Sequence, residues 1–373
     1  MSGALVDLVS KGVQDAYITG DPQVSFFRQN YKRHTNFAMR PEALNYIGTF
    51  AANNEVTIKI PSKGDLLSYI WIEATGINDN ADNRNNASII EDNDSTLFEF
   101  SLYIGGQPVV TFDSLYLQGI HNLLYRNNQA KASCASVTNR SKSNASGYSG
   151  APDHLMVPFF FCEDWTKSLP LVALQYHEVE IRIKCRSGFT AGSTPKVWGN
   201  FMYLDTDERD FFVNTDHELL IEQVQHTLAL NTDTDFDLTY FNHPVKAIHL
   251  VSGKATGQSN WANEYNFKDS SFYINGTTLF ETTSNIYHHN VVHEMHCENI
   301  PDDTLSKQPT FTWPFCLSLG KQQPTGTLNF SRIDTAKLTV SNPTGGNSLH
   351  RVYAVNYNIL RIKKGMAGVA FSN

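Results

Sequence analysis

"SLYIGG" at residues 101–106 and "SFYING" at residues 271–276 share four of six positions, and this repeat is the first guide to the fold. A match this short occurs by chance in a chain of 373 residues, so the surrounding sequence has to support it. Each copy is followed by a short polar stretch and then by a segment with helical periodicity, at 113–125 and 284–296. The predicted cap and apolar stripe of the first segment are formed by Asp113 or Ser114 and by Tyr116, Ile120, Leu123 and Leu124.

A second pair of related blocks follows in the same order. "PFFFCEDWTKSLPLVALQY" at 158–176 aligns with "WPFCLSLGKQQPTGTLNF" at 313–330. The aligned pairs are Phe161 with Phe315, Cys162 with Cys316, Pro170 with Pro324, Leu174 with Leu328, and Tyr176 with Phe330. Between the two blocks, the first copy carries a Ser/Asn/Ala/Gly-rich loop at 126–153, whereas the second has only "ENIPDDTLSKQ" at 298–308. Two collinear blocks whose spacing differs by one loop indicate a duplicated domain.

The periodicity of the chain is mostly that of strands. "EVTIKI" at 55–60 and "VEIRIKC" at 179–185 alternate apolar and polar residues, which is typical of half-buried antiparallel strands. Many strands with few short helices favour sandwiches, so each copy is predicted to be a jelly roll. The fold class is therefore all-β, with two tandem eight-stranded jelly-roll β-sandwiches (a double jelly roll) and short inserted helices. The predicted segments are an N-terminal arm at 1–25, a first jelly roll at 26–205, a linker helix at 206–216 and a second jelly roll at 217–373.

Composition argues against a protein that coats nucleic acid. The chain has 29 Lys and Arg residues against 37 Asp and Glu residues, a formal net charge of −8, whereas such proteins carry a basic excess. The basic and aromatic stretch at 21–37 is therefore a local patch, which is either a contact surface for an acidic partner or merely a solvated face. Five widely spread cysteines, none in a CxxC pair, indicate free thiols. Such free thiols indicate a reducing cytosol. The sequence has no 18-residue apolar run and no secretory signal pattern, so we expect neither a membrane span nor secretion.

The strongest chemical motif is "HHNVVHEMHC" at 288–297. If this segment is helical, His289, His293 and His296 share one face, opposite Tyr287, Val291 and Met295, and three imidazoles so placed could bind zinc. The alternative is that the histidines form the polar side of the helix, in solvent or at a pH-sensitive subunit seam. The chain contains no HExxH, no G-x-S-x-G and no P-loop. The sequence thus predicts no enzyme and no cofactor.

Seven stretches then carry a resemblance that runs from end to end. They are "LVSKGVQDAYITGDPQVSFFRQNYKRHTNFA" (8–38), "LPLVALQYHEVEI" (169–181), "LDTDERDFF" (204–212), "HELLIEQVQ" (217–225), "FNHPVKAIHLV" (241–251), "PTGTLNFSRID" (324–334) and "YAVNYNILRIKKGMAGVAFSN" (353–373). In these motifs and their order, the chain resembles the double jelly-roll major capsid proteins of nucleocytoplasmic large DNA viruses. It is shorter than most members, which are extended by outer loops, and this suggests a compact member or a paralogue.

The resemblance implies a homotrimer that forms a pseudo-hexagonal capsomer and tiles an icosahedral shell, assembled in the host cytoplasm and retained in the virion. The implied partners are the chain itself, neighbouring capsomers, minor capsid proteins and the inner viral membrane surface, without sequence-specific nucleic-acid binding. In this family the N-terminal arm lies at the capsomer base, where Phe26 and Phe27 would be buried and Arg28, Lys32 and Arg33 would meet acidic groups. The alternative is that 21–37 simply closes the first sandwich.

Two further functions remain open from the sequence. The chain could be a capsid paralogue or a minor shell component, although a penton or minor role usually uses a single jelly roll. It could also be a jelly-roll carbohydrate-binding protein, which we expect to concentrate exposed aromatic residues in its loops. The long loop at 126–153 contains one, Tyr148, which argues against this function.

Overall fold

The computed structural model describes residues 3, 7–75, 77, 96–125, 153–229, 233–252, 265–297, 310–344 and 350–371. Cys134 and Tyr148, most of the predicted loop at 126–153, and its counterpart at 298–308 lie outside the described residues. The chain divides into two units, Met1–Asn36 and Phe37–Asn373.

The described part of the N-terminal unit includes the short helix α1 (Ala16–Thr19), and its described residues form no strand. Asp15 organises the turn before this helix, because its carboxylate accepts a hydrogen bond of 3.0 Å from the Gly12 backbone N–H. The Lys11 ammonium donates to the carbonyl of Thr19 at 2.8 Å and thereby closes the end of the helix. Every described residue of this unit is exposed.

The described residues of the first β-sandwich form ten strands. They are β1 (Phe37–Leu44), β2 (Tyr46–Ile47), β3 (Glu55–Ile60), β4 (Leu66–Ala74), β5 (Glu99–Ile104), β6 (Gln107–Asp113), β7 (Asp153–Met156), β8 (Leu169–Pro170), β9 (Val179–Lys184) and β10 (Lys196–Leu204). One sheet has the order β1-β10-β4-β7, with β8 beside β4, and the other has the order β2-β3-β9-β5-β6. All pairings are antiparallel.

The second sandwich repeats this order. Its strands are β11 (His217–Ala229), β12 (Asp235–Asp237), β13 (Pro244–Ser252), β14 (Asp269–Ile274), β15 (Thr277–Ser284), β16 (Thr310–Pro314), β17 (Leu328–Asn329), β18 (Ala336–Val340), β19 (His350–Lys363) and β20 (Met366–Val369). The sheets are β11-β19-β13-β16, with β17 on β13 and β20 on β19, and β12-β18-β14-β15. Nine strands of each sandwich correspond one to one, and the ones without a counterpart among the described residues are β2 and β20. This correspondence confirms the predicted double jelly roll.

Short helices occupy matching places in the two copies. Helix α2 begins with an α-helical turn, Ser114–Tyr116, and continues as a π-helix, Leu117–Tyr125. Helix α3 (Thr206–Asn214) joins the sandwiches, and the carboxylate of Asp205 caps it by accepting from the Thr206 N–H at 2.8 Å. Helix α4 consists of a π-helix, Tyr287–Val291, followed by an α-helix, Val292–His296. Single 3₁₀ turns span Phe160–Cys162, Trp165–Lys167, Leu171–Ala173 and Phe330–Arg332.

The two six-residue repeats form equivalent hairpins. "SLYIGG" ends β5 and turns into β6 through Gly105 and Gly106, which have φ angles of +59° and +80°. "SFYING" ends β14 and turns into β15 through Asn275 and Gly276, with φ angles of +46° and +78°. Two successive left-handed residues make the tight turn that suits twisted strands, and Gly or Asn adopts them with little strain. The predicted equivalence of the two repeats, and of the helices that follow them, is confirmed.

The residue pairing predicted for the second pair of blocks is wrong in its later half. Leu169 and Pro170 pair with Leu67 and Leu66 of β4, whereas Leu328 and Asn329 pair with Val245 and Pro244 of β13. The structural counterpart of Leu169 is therefore Leu328, so the alignments of Pro170 with Pro324, Leu174 with Leu328 and Tyr176 with Phe330 do not hold. Isolated identities in apolar stretches do not define a register, because backbone hydrogen bonds set it.

The cores differ between the two sandwiches. Strand β4 alternates between buried and half-buried residues, since only one of its faces is covered. Strand β13 is buried at every position after Pro244. One cluster of apolar residues fills the second sandwich, and a larger cluster fills the first and extends to the outer face of the second. The residues of β13 and β19 in this larger cluster are Ala247, Val251, Tyr353, Val355, Leu360 and Ile362.

Candidate functional site

The junction between the two sandwiches is built on Asp113, the last residue of β6. One carboxylate oxygen accepts from the Tyr116 N–H at 2.8 Å and from the Tyr353 hydroxyl at 2.7 Å, and the other accepts from Arg351 at 2.8 Å. Asp113 thus caps α2 and also binds two residues of β19. Because Asp113 is buried, this charge-assisted contact fixes the helix against the second sandwich.

A chain of buried hydrogen bonds continues the junction. The Tyr125 hydroxyl lies 2.8 Å from Nε2 of His249, and Nδ1 of His249 lies 2.8 Å from the Thr312 hydroxyl. Nε2 of His293 lies 2.7 Å from the same hydroxyl. Burial raises the pKa of Tyr125 and holds the pKa of His249 well below its usual range, with a further lowering from His293 and Lys246. Tyr125 and His249 are therefore neutral, and this chain of hydrogen bonds links α2 to α4.

Charged side chains line a cavity of about 400 Å³ beside this chain of hydrogen bonds. The Lys246 ammonium contacts the Glu222 carboxylate at 2.6 Å and lies 4.3 Å from the centre of the Tyr125 ring. On the opposite side, Glu163 contacts Lys167 at 3.2 Å and His121 at 3.6 Å. Each buried carboxylate thus has a nearby cation, and the arrangement suits a structural junction better than proton transfer.

The three candidate zinc ligands share one face of α4, as predicted. That face lies against the chain's own second sandwich instead of in solvent. The ring nitrogens contact backbone or hydroxyl oxygens at 2.7 to 2.9 Å: His289 with Thr310 O, His293 with Thr312 Oγ1, and His296 with Cys316 O. Within the described residues, no group of three or more His, Cys, Asp or Glu side chains could hold a metal ion. The opposite face, which includes Val291 and Met295, is exposed.

The residues predicted for the capsomer base all lie in the N-terminal unit. The side chains of Phe26 and Phe27 are 90% and 97% exposed, and Arg28, Lys32 and Arg33 are exposed as well. Residues 21–36 form no strand, and the first strand of the sandwich begins at Phe37. The alternative in which 21–37 closes the first sandwich therefore has no support from strand pairing.

Sequence reasoning missed an aromatic surface on the first sandwich. Trp71 of β4 and Trp198 of β10 are cross-strand partners whose rings are nearly parallel, with centroids 6.0 Å apart. Both indole N–H groups donate to the carboxylate of Glu73, at 2.7 and 3.0 Å. Tyr69 and Trp165 extend the surface. The signal available in the sequence was the alternation of Tyr69, Trp71 and Glu73 with buried residues along β4.

Comparison with known proteins assigns the chain to a family. Residues 25–191 match the family described as "Major capsid protein N-terminus", and residues 208–368 match "Large eukaryotic DNA virus major capsid protein". The major capsid protein of Pyramimonas orientalis virus is 32% identical over the whole length of both chains. The chain belongs to the major capsid protein family of large eukaryotic DNA viruses. The major capsid protein of Paramecium bursaria Chlorella virus 1 is 28% identical, again over both full lengths.

Solved structures of capsid proteins share the fold. The VP54 protein of PBCV-1 superposes with a TM-score of 0.75 at 24% identity, over 94% of this chain and all of VP54. The Faustovirus major capsid protein superposes with a TM-score of 0.66 at 10% identity, over 95% of each chain. As a major capsid protein, the chain has its place in the virion capsid. Among the described residues, no helix is long and apolar enough to cross a membrane.

Proposed function

We propose that this major capsid protein forms homotrimeric, pseudo-hexagonal capsomers that tile an icosahedral shell, and that its role is structural and not enzymatic. The observation that carries the proposal is the repetition of one strand order in two sandwiches that a buried junction joins. Two similar sandwiches in a fixed arrangement let one chain supply two of the six positions of a pseudo-hexagonal capsomer, so three chains complete it. We further propose assembly in the host cytoplasm, and the division into segments 1–25, 26–205, 206–216 and 217–373.

Light scattering coupled to size exclusion tests the trimer. Three chains of 41.9 kDa give a particle of about 126 kDa. A species of this mass at assembly concentrations supports the proposal, whereas a stable monomer of 41.9 kDa under the same conditions argues against it.

We also propose that the N-terminal arm anchors the capsomer to the shell interior. Its exposed phenylalanines, Phe26 and Phe27, lie beside the cations Arg28, Lys32 and Arg33, a combination that suits acidic groups on minor capsid proteins or on the inner viral membrane. An exposed segment contributes little to its own domain yet can order on binding to a neighbour.

A chain that starts at Phe37 tests the anchor, because it lacks the whole N-terminal unit and with it Phe26, Phe27, Arg28, Lys32 and Arg33. We expect a normal trimer by size exclusion and reduced incorporation into particles in infected cells. If truncation destroys the trimer, the arm is part of the fold. If trimer and incorporation both survive, the anchor is elsewhere. Either result overturns the proposal.

A further inference from the structure

The apolar residues of α2 and β6 have counterparts in α4 and β15 with a very different exposure. Counted from the matching hairpin turns and strand ends, the equivalent pairs are Val109 with Leu279, Leu115 with Ile286, Ile120 with Val291, and Leu124 with Met295. The first-copy members are at most 3% exposed, and the second-copy members are 43% to 72% exposed. In the first copy these positions belong to the cluster that reaches the outer face of β13 and β19. The second copy therefore presents the same apolar surface without a cover.

A complementary difference exists between the sheets. His249 and Tyr353 are cross-strand partners on β13 and β19, and both are fully buried against α2 through Tyr125 and Tyr116. The equivalent cross-strand pair on β4 and β10 is Trp71 and Trp198, which are half-buried. The outer face of the first sandwich is thus aromatic and open at the place where the outer face of the second is covered.

We propose that α4 and β15 of one chain cover the outer face of β4 and β10 of a second copy, repeating between chains the contact that α2 and β6 make within the chain. The inference rests on the proposed trimer and names its contact surfaces. Such a contact is heterologous, because it joins two different surfaces. It forms a closed ring when the rotation from each chain to the next adds up to a full turn. When contacts within a chain alternate with contacts between chains, three chains form a closed ring of six sandwiches.

The likeness between the open surfaces and the surfaces of the internal junction indicates that a second copy of this chain covers them. The two open surfaces are apolar. Each has a counterpart in the same chain, and these two counterparts cover each other in the internal junction. Glu73 binds both indole N–H groups, so Trp71 and Trp198 can be covered without leaving a buried donor unpaired. Tryptophan and tyrosine are also the residues that most often dominate binding energy in protein interfaces.

The external contact differs from the internal one in its charges. Asp113 and Arg351 form the buried ion pair of the internal junction. Strand pairing gives Ser284 and Lys196 as their counterparts, so this ion pair has no equivalent between chains. Apolar contacts must then carry the association between chains.

The first test places a charge on the open face of α4. Met295→Glu introduces a carboxylate at a side chain that is 72% exposed in the single chain, so the fold should be unaffected. Tyr240→Glu is the matched control, because Tyr240 is 78% exposed and lies between β12 and β13, outside both surfaces. We expect Met295→Glu to raise the concentration needed for half-assembly about tenfold or more, and Tyr240→Glu to leave it unchanged. Circular dichroism and the thermal midpoint of dilute protein check folding.

The second test identifies the contacting surface directly. Tyr287 is the counterpart of Tyr116, whose ring lies 5.8 Å from that of Tyr353, and Tyr353 corresponds to Trp198. The photo-crosslinking residue p-benzoylphenylalanine at position 287 should therefore join two chains through the peptide that contains Trp198. The same residue at position 240 should not produce this product. Mass spectrometry of the crosslinked peptides gives the answer.

The outcomes separate this inference from the proposed function. A wild-type trimer that Met295→Glu leaves intact, or a crosslink to any other region, overturns the surfaces named here and leaves the trimer standing. A crosslink to a glycan or to a different protein from infected cells also overturns them. A wild-type protein that stays monomeric overturns both.

Discussion

Helices α2 and α4 follow the same hairpin in the two copies, yet they meet different surroundings. Helix α2 is buried between the sandwiches, and Asp113 and Tyr125 bind it to the second one. Helix α4 turns its histidines inward and leaves Val291 and Met295 exposed. Duplication thus produced two similar apolar surfaces, of which the chain covers one internally. The comparison teaches that apolar side chains exposed in a single chain can mark a surface that a partner covers.

The largest effect should come from breaking the internal junction at Asp113. Asp113→Ala removes the helix cap and leaves Arg351 without its buried carboxylate, which typically costs about 3–5 kcal/mol of unfolding free energy. Urea unfolding at a fixed protein concentration measures this loss. The control is Ser284→Ala at the equivalent position of the second copy, where we expect a change within about 0.5 kcal/mol. Equal losses in the two variants would contradict the asymmetry of the two helices.

Acid should weaken the second sandwich through His288. Its Nδ1 donates to the Thr312 carbonyl at 3.0 Å, and burial lowers its pKa to about 4. The neutral form is favoured in the folded state, so the unfolded chain binds a proton first as the pH falls. The contribution to stability is therefore complete above pH 6.5 and is lost between pH 6.5 and 4, by about 3 kcal/mol.

Thermal unfolding of His288→Gln against wild type isolates this effect. The variant should be less stable at neutral pH, and the gap should narrow between pH 6.5 and 4, because only the wild type loses the contribution of His288. A gap that stays constant with pH would show that His288 does not titrate on unfolding.

A smaller effect is expected from Tyr125→Phe. The substitution removes the hydroxyl that contacts Nε2 of His249 and leaves a buried nitrogen unpaired, at a cost of about 1–3 kcal/mol. Tyr240→Phe, at an exposed tyrosine, should be neutral. Chemical unfolding of both variants sharpens the comparison, since a neutral Tyr125→Phe would mean that the chain of hydrogen bonds does not stabilise the junction.

Local patterns predicted the elements well because they depend on neighbours in the chain. Alternation identified "EVTIKI" as β3, which the structure confirms at Glu55–Ile60. The match of "SLYIGG" with "SFYING" predicted two equivalent segments, and the structure shows that both end in tight turns with positive φ, at 105–106 and 275–276. The same reasoning failed for the pairing of Pro170 with Pro324, because a strand's register depends on hydrogen bonds to residues far away in sequence.

The sequence by itself determined the duplicated all-β fold, the two equivalent repeats with the helices that follow them, and the family, because each depends on the spacing and type of residues along the chain. Only the tertiary structure decided which face of α4 is buried. By helical periodicity the histidines were a polar face suited to solvent or a seam, yet β16 offers them carbonyl and hydroxyl partners in the interior. The structure also decided that Trp71 and Trp198 lie side by side on an open face, since their contact crosses two strands far apart in sequence. A sequence specifies what each side chain can bond to, and packing determines which of those partners it meets.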